Sequence, residues 1–181
     1  TTTANNGAID MGTLQIDGTI ALATDGTGNA TIVNDTVINF AASTVGGDLT
    51  ATATLGNIDF ATSSVGGNLT ATATDGDITD SGALTITGTS TFITQDAGSN
   101  IVLNHASNAF SSWVKMLADT GGNETFGNIE FVDSGPVKIE TSDDTDADGE
   151  LLIDGSTDGA VGGTLSITAT TGDITQGQVL A

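Results

Sequence analysis

The chain has 181 residues, of which 23 are acidic and only two, Lys115 and Lys138, are basic, so its formal net charge is −21. Contacts with phosphate groups need Lys and Arg, and this charge therefore excludes nucleic-acid binding and disfavours binding to anionic membranes. Because cysteine is absent, the chain has neither a disulfide framework nor a thiolate metal site.

The first 44 residues contain short apolar runs separated by Gly, Asn and Asp, among them Ile20–Leu22 and Val37–Phe40. Apolar runs bounded by turn residues are typical of short strands. We expect these runs to form irregular coils ahead of a more regular region.

Residues 45–79 contain an internal repeat. The sequence Val-Gly-Gly-Asp-Leu-Thr-Ala-Thr-Ala-Thr begins at Val45, and Val-Gly-Gly-Asn-Leu-Thr-Ala-Thr-Ala-Thr begins 20 residues later, at Val65. Leu and Ala alternate with Thr, and this period of two indicates a strand with one buried face. A Gly-Asn or Gly-Asp turn then leads to a second strand at Ile58 and at Ile78.

A repeat of this length is typical of stacked architectures. It predicts an all-β fold, a right-handed parallel β-helix (solenoid) with coils of about 20 residues, and the whole chain would form about nine coils. Each coil would contain two strands and two corners, with glycine at the corners, and Leu49 would lie above Leu69. A third copy of the repeat, Val161–Ile174, predicts that Leu165 and Ile174 occupy the same two strand positions.

The segments after the regular repeat continue the pattern less strictly. Residues 83–93 alternate and predict further strands, and residues 104–110 predict a corner where asparagines form an internal ladder. His105 is interpreted as a corner residue rather than a general base, and residues 111–119 as a strand or a short excursion. No change of composition indicates a linker, so we expect a single β-helical repeat domain over 1–181, a segment of a longer protein.

The acidic segment 141–150 resembles the opening of a calcium-binding loop. Its carboxylates occupy alternate positions and Gly149 stands at the sixth, which would let the chain wrap a hard cation with oxygen ligands. The Glu expected at the twelfth position is replaced by Gly155, so Asp154 or Asp143 would have to substitute for it, and a solvated acidic turn is the alternative interpretation. The residues that would bind Ca²⁺ are Asp144, Asp146, Asp148, Glu150 and Asp154.

The outward threonines suggest a second hypothesis. Rows of Thr at the spacing of stacked strands resemble the surfaces of some ice-binding proteins, although Thr is also a common exposed strand residue. A catalytic function is not expected. The two lysines do not suffice for a polysaccharide lyase, and abundant carboxylates do not distinguish a hydrolase from an acidic surface.

Several stretches resemble the shaft repeats of filamentous haemagglutinin-like bacterial adhesins. They are the run Gly76–Thr89, the segment Asn104–Phe110 and the copies of Val-Gly-Gly-x-Leu-Thr. The resemblance implies a long right-handed β-helix that Gram-negative bacteria export and hold at the cell surface or release.

We therefore expect a non-enzymatic, extracellular structural and adhesive rod. Its partner would be a protein or glycan on a host or neighbouring cell, or other copies of the chain. A subunit of a head-to-tail filament is a further alternative.

Overall fold

The computed structural model of the chain describes residues 1, 5–118, 127–139, 150–153 and 163–176, with the backbone alone at 138–139, 150–153 and 176. All its described elements are β-strands, arranged in three sheets in which every neighbouring pair of strands is parallel. No membrane-spanning helix is present in this part of the chain.

Apart from β17 and β18, neighbours within a sheet are not consecutive in the chain, because each coil contributes strands to more than one sheet. In spatial order, the first sheet has nine strands: β1 (Ile9–Leu14), β3 (Ala30–Asn34), β6 (Leu49–Ala53), β9 (Leu69–Ala73), β12 (Ser90–Thr94), β15 (Val114–Leu117), β18 (Glu150–Ile153), β17 (Val137–Ile139) and β20 (Ile174–Gln176). The second has seven: β19 (Leu165–Ala169), β16 (Ile129–Asp133), β13 (Ile101–Leu103), β10 (Ile78–Asp80), β7 (Ile58–Phe60), β4 (Ile38–Phe40) and β2 (Thr19–Ile20). The third has four: β14 (Ala109–Phe110), β11 (Leu84–Ile86), β8 (Ser63–Val65) and β5 (Ser43–Val45).

Successive coils stack in register, as the repeat predicts. Leu49 pairs directly with Leu69, and the four residues that follow each of them pair in the same order. The coils that begin at β3, β6, β9 and β12 are 19, 20, 21 and 24 residues long. Five turns separate β1 from β15, so the predicted all-β parallel solenoid is confirmed.

The core is filled by inward side chains, and the sizes of these side chains compensate within strands β6 and β12 of the first sheet. In β6 a large Leu49 precedes a small Ala51, whereas in β12 a small Ser90 precedes a large Phe92. In a close-packed interior, a small side chain at one inward position leaves room for a large side chain at the next.

A file of aromatic rings runs along the axis of the coils. The rings of Phe40 and Phe60 stack with centroids 5.0 Å apart, and Phe92 meets Phe60 edge-on at 6.5 Å. Phe110 and Phe131 extend the file, with centroid distances of 6.3 and 5.2 Å. Aromatic pairs in these arrangements add to the free energy of burial, so the file links coils from β4 to β16.

The prediction of two strands per coil is wrong for the regular coils, which have three. The third strand contains Ser43 in one coil and Ser63 in the next, at inward positions next to a corner. Each serine hydroxyl donates to a carbonyl two residues earlier, that of Ala41 or Ala61, at 2.8 Å. A small polar residue can therefore be buried there, although in the sequence it resembles part of a turn.

The predicted position of the third repeat copy is also wrong. Leu165 pairs with Ile129 in the second sheet, not in the sheet of Leu49, and Ile174 pairs with Val137 in the first. The strands of the first sheet follow the order of the chain only as far as β15. Beyond it the order is broken, because β18 lies between β15 and β17. Five sequential turns are therefore described, the first with a register shift between β1 and β3, and not the nine coils that the chain length suggested.

Candidate functional site

Outward side chains of the first sheet form two columns that cross four coils. Because strands β3, β6, β9 and β12 pair without a shift, equivalent residues lie next to one another from coil to coil. We call these outward side chains the threonine face: Thr31, Val33, Thr50, Thr52, Thr70, Thr72, Thr91 and Ile93. None is charged, in a chain that has a formal net charge of −21.

The side chains of the threonine face are directed away from the core. No hydrogen bond joins any of its threonine hydroxyls to another described residue. Coils in such a stack are about 4.8 Å apart, so the face presents hydroxyl and methyl groups at a regular spacing. The column that contains Thr31 and Thr91 continues into charged residues at both ends, where Thr31 pairs with Asp10 and Thr91 pairs with Lys115.

Two ladders of polar side chains hold the corners of the solenoid. In each ladder a side-chain oxygen accepts the backbone N–H of the residue at the same corner of the next coil, at distances of 2.6–2.9 Å. The first ladder, before strands of the first sheet, consists of Asn29, Asp48, Asn68 and Thr89. The second, before strands of the second sheet, consists of Asn57, Asp77, Asn100, Asn128 and Thr164.

Glycine precedes the second ladder where the backbone turns sharply. Gly56 and Gly76 have positive φ values of 110° and 150°. A Cβ at Gly76 would lie 2.5 Å from the Asn57 side-chain oxygen and 2.6 Å from the Gly56 carbonyl carbon. The expectation that these corners require glycine is therefore confirmed.

A carboxylate supports the corner at 104–108, between β13 and β14. Asp80 accepts hydrogen bonds from the backbone N–H of Asn104 at 2.8 Å and of His105 at 3.3 Å, and from the side-chain amide of Asn108 at 2.6 Å. Burial raises the pKa of the Asp80 carboxyl, and the hydrogen bonds that it accepts act in the opposite direction. Burial likewise raises the pKa of Asp133, which accepts a hydrogen bond from the following turn.

The 104–108 corner is held by contacts of His105 and Asn108. His105 contacts Asp80 through its backbone, and its ring nitrogen Nδ1 accepts the N–H of Ser107 at 3.2 Å, so it lies at a corner as predicted. The predicted asparagine ladder does not form there. Asn108 is instead fully buried and also accepts the N–H of Leu84 in the preceding coil at 2.8 Å.

The predicted calcium site falls almost entirely outside the described residues. This applies to Asp144, Asp146, Asp148 and Asp154, while Glu150 begins β18 with only its backbone described. In the described ranges no group of three or more His, Asp or Glu side chains could hold a metal ion. The calcium loop therefore stays a prediction.

Sequence reasoning missed the buried polar residues. Phe40 and Phe60 are equivalent in successive coils, and the residue 20 positions later is Asp80. This break in an apolar column was visible in the repeat and marks the carboxylate that supports the next corner. Ser90 stands in the column of Leu49 and Leu69 in the same way.

Comparison of the sequence with known protein families agrees with a repeat architecture. A family model described as "Repeats of unknown function (DUF5649)" matches residues 52–116, which include strands of all three sheets. No curated protein and no solved structure matches the chain. The chain is therefore a repeat protein built as a β-solenoid, with the architecture of a structural protein.

Proposed function

We propose that the chain is part of a non-enzymatic adhesive rod, secreted or displayed on a bacterial surface. The observation that carries this proposal is the stacking of identical side chains from coil to coil, such as Leu49 on Leu69. Such a stack can be extended without a change of design and sets a fixed distance between its ends. The resemblance to the shaft repeats of filamentous haemagglutinin-like adhesins supports the same function.

Stiffness comes from three sets of contacts between neighbouring coils. The parallel sheets supply backbone hydrogen bonds, the two ladders connect the corners, and the aromatic file connects the core. The sheets and the ladders continue from coil to coil and the aromatic file spans the coils from β4 to β16, so bending the rod would disturb several contacts at once. The mechanism is thus mechanical: the rod holds a face at a distance from its attachment and presents it to a partner.

The distribution of charge favours the threonine face as the contact surface. Acidic side chains occupy corners, as Asp48 and Asp77 do, and outward positions of the second sheet, as Asp59 does, whereas the outward positions of β3, β6, β9 and β12 are uncharged. A partner on this face need not be basic, since no buried charge would have to be paired. The proposed partner is a protein or glycan on a host or neighbouring cell.

The adhesive function is tested with beads that carry the chain. Beads coated with the folded chain should be retained on cells or on a glycan array more strongly than beads coated with polyglutamate of equal charge. Thr70→Glu, on the threonine face, should reduce retention, whereas Thr85→Glu, on the exposed side of the third sheet, should not. Equal retention of the folded chain and polyglutamate would refute the proposal.

Ice binding is a second candidate, favoured by the regular, uncharged array of the threonine face. An ice surface is neutral and periodic, so a rigid array of hydroxyl and methyl groups about 4.8 Å apart would match it better than a charged surface. The chain should then shape growing ice crystals and show thermal hysteresis. Thr70→Lys should abolish both effects and Thr85→Lys should retain them. Unshaped crystals in the presence of the unmodified chain would exclude this function.

A further inference from the structure

Three Asn-x-Thr sequences occur in the described part of the chain. They begin at Asn29, Asn34 and Asn68, and none has proline in the middle position. Asn-x-Thr is the acceptor sequence for N-linked glycosylation, in which a sugar is attached to the side-chain nitrogen Nδ2. In the structure the asparagine side chain is accessible to solvent in two of these sequences and buried in the third.

Asn29 and Asn68 are exposed, and the threonine of each sequence is only partly covered. Asn29 and Asn68 stand immediately before β3 and β9, and Thr31 and Thr70 are the first outward residues of these strands. The middle residues, Ala30 and Leu69, point into the core. A transferase can therefore contact both defining residues of each sequence while the rod remains folded.

The first ladder orients both side-chain amides. Oδ1 of Asn29 accepts the N–H of Asp48 at 2.8 Å, and Oδ1 of Asn68 accepts the N–H of Thr89 at 2.9 Å. Because only the oxygen of an amide can accept an N–H, Nδ2 must be the atom directed away from the corner. Neither Nδ2 donates a hydrogen bond to another described residue.

Asn34 has the opposite environment. Its side chain is fully buried, and its Nδ2 donates to the carbonyls of Ile16 and Val37 at 2.9 and 2.7 Å. It is also 3.1 Å from the Thr36 hydroxyl, which is the threonine of the same sequence. A sugar on Asn34 would have to displace these contacts and open the core.

We infer that Asn29 and Asn68 are N-glycosylation sites and that the fold closes Asn34. In the reaction, Nδ2 forms a bond with the anomeric carbon of a sugar activated as a nucleotide or lipid diphosphate. The bond from that carbon to the phosphate oxygen breaks, the diphosphate leaves with the electron pair, and the Nδ2 proton passes to a base of the transferase. Oδ1 is unchanged, so the ladder persists.

The two sites lie on one edge of the threonine face. Asp48 separates them on the ladder, so the sugars would be two coils, about 10 Å, apart along the axis. The inference does not depend on what the rod binds, because it rests on the exposure of the amides.

The test compares three asparagines in one folded chain. We would use a soluble N-glycosyltransferase and a nucleotide-activated hexose, with an enzyme chosen because it modifies synthetic peptides of all three sequences. Peptide mapping by mass spectrometry should find one hexose on Asn29 and one on Asn68, and none on Asn34. Circular dichroism recorded before and after the reaction shows that the chain stays folded.

The chain also provides matched variants. Asn68→Asp should preserve the ladder, because an aspartate, Asp48, already accepts the backbone N–H at the same corner of the preceding coil. The variant should carry one hexose fewer than the unmodified chain. Thr70→Val retains the asparagine and should lose the same hexose. Asp48→Asn completes the sequence Asn-Leu-Thr at an equivalent position and should gain one hexose.

Three results would overturn the inference. They are unmodified Asn29 and Asn68 in the folded chain, a hexose on Asn34 without unfolding, and no gain in Asp48→Asn. In the chain isolated from the cells that produce it, both exposed asparagines should carry a saccharide. Bare asparagines at both positions would also overturn it.

Discussion

The aromatic file predicts that Phe60 stabilises the rod more than Phe40 does. Both side chains are almost fully buried at equivalent positions of neighbouring coils. Phe60 contacts two rings, those of Phe40 and Phe92, whereas Phe40 contacts only the ring of Phe60 among the described residues. Replacement of each phenylalanine by leucine removes its ring contacts and leaves most of its volume.

The expected difference follows from the number of ring pairs. An aromatic pair contributes about 0.5–1.5 kcal/mol beyond the area that it buries. Phe60→Leu should therefore lose about 1–3 kcal/mol of unfolding free energy from two pairs, and Phe40→Leu about half of that from one. The loss of volume is the same in both variants, so it cancels when they are compared.

Urea unfolding followed by far-ultraviolet circular dichroism measures this difference. The two transitions can be compared when their m-values agree, because the m-value reports the surface exposed on unfolding. A double variant, Phe60→Leu with Phe92→Leu, should lose less than the sum of the single variants, since both single variants remove the same pair. If Phe60→Leu is no more destabilising than Phe40→Leu, the rings do not act as a continuous file.

Further predictions concern the buried polar groups, the first ladder and the acidic loop. The hydroxyl of Ser90 is fully buried without a hydrogen-bond partner among the described residues. Ser90→Ala should therefore raise the free energy of unfolding by about 1 kcal/mol in urea titrations, and a lower free energy of unfolding would contradict this prediction. Asn68→Ala leaves the N–H of Thr89 without its acceptor and should cost about 0.5–1.5 kcal/mol, whereas Asn68→Asp should cost less; equal costs would argue against the ladder. Because burial raises the pKa of Asp133, its contribution to stability is present below the unfolded pKa and is lost as pH rises through the folded pKa. Asp133→Asn should therefore gain stability relative to the unmodified chain as pH rises from acidic to neutral, and a pH-independent difference would refute this. Calorimetric titration with Ca²⁺ should give heat that is lost in Asp146→Ala, and no heat in the unmodified chain would exclude the calcium loop.

Much of the fold could be predicted because the repeat is nearly exact in one region. Leu49 and Leu69 begin strands with the same pattern of Leu, Ala and Thr, so one register satisfies every inward position at once. The third strand was harder to recognise. Ser43 and Ser63 are small and polar, and only the carbonyl contacts made in the folded coil explain why they are buried.

The position of the third repeat copy could not be predicted, because the same short motif begins strands in two sheets. Thr164 donates its N–H to Asn128 in the second ladder, as Asn68 donates its N–H to Asp48 in the first. The local sequence thus specifies a strand and a corner but not the sheet that receives them. Leu165 joins the second sheet because its strand pairs with β16, and the local sequence does not indicate this pairing.

The candidate site was predicted in part. Alternation identified the outward threonines of β6 and β9, but the extent of the uncharged face depends on the pairing of four strands. The closed environment of Asn34 depends on residues of the preceding coil and follows from no local pattern.

The shared corner motif also bears on how a gene for such a rod can grow. Asn57, Asn68 and Thr164 each follow glycine or a glycine pair and precede a branched apolar residue, and they stand before strands of two different sheets. A gene duplication with its breakpoints at two such motifs would place the new segment after a corner residue that can accept its first backbone N–H. This holds whether the duplicated segment encodes a whole turn or a fraction of one. Descendants of one ancestral rod can therefore differ in length by steps shorter than a full turn.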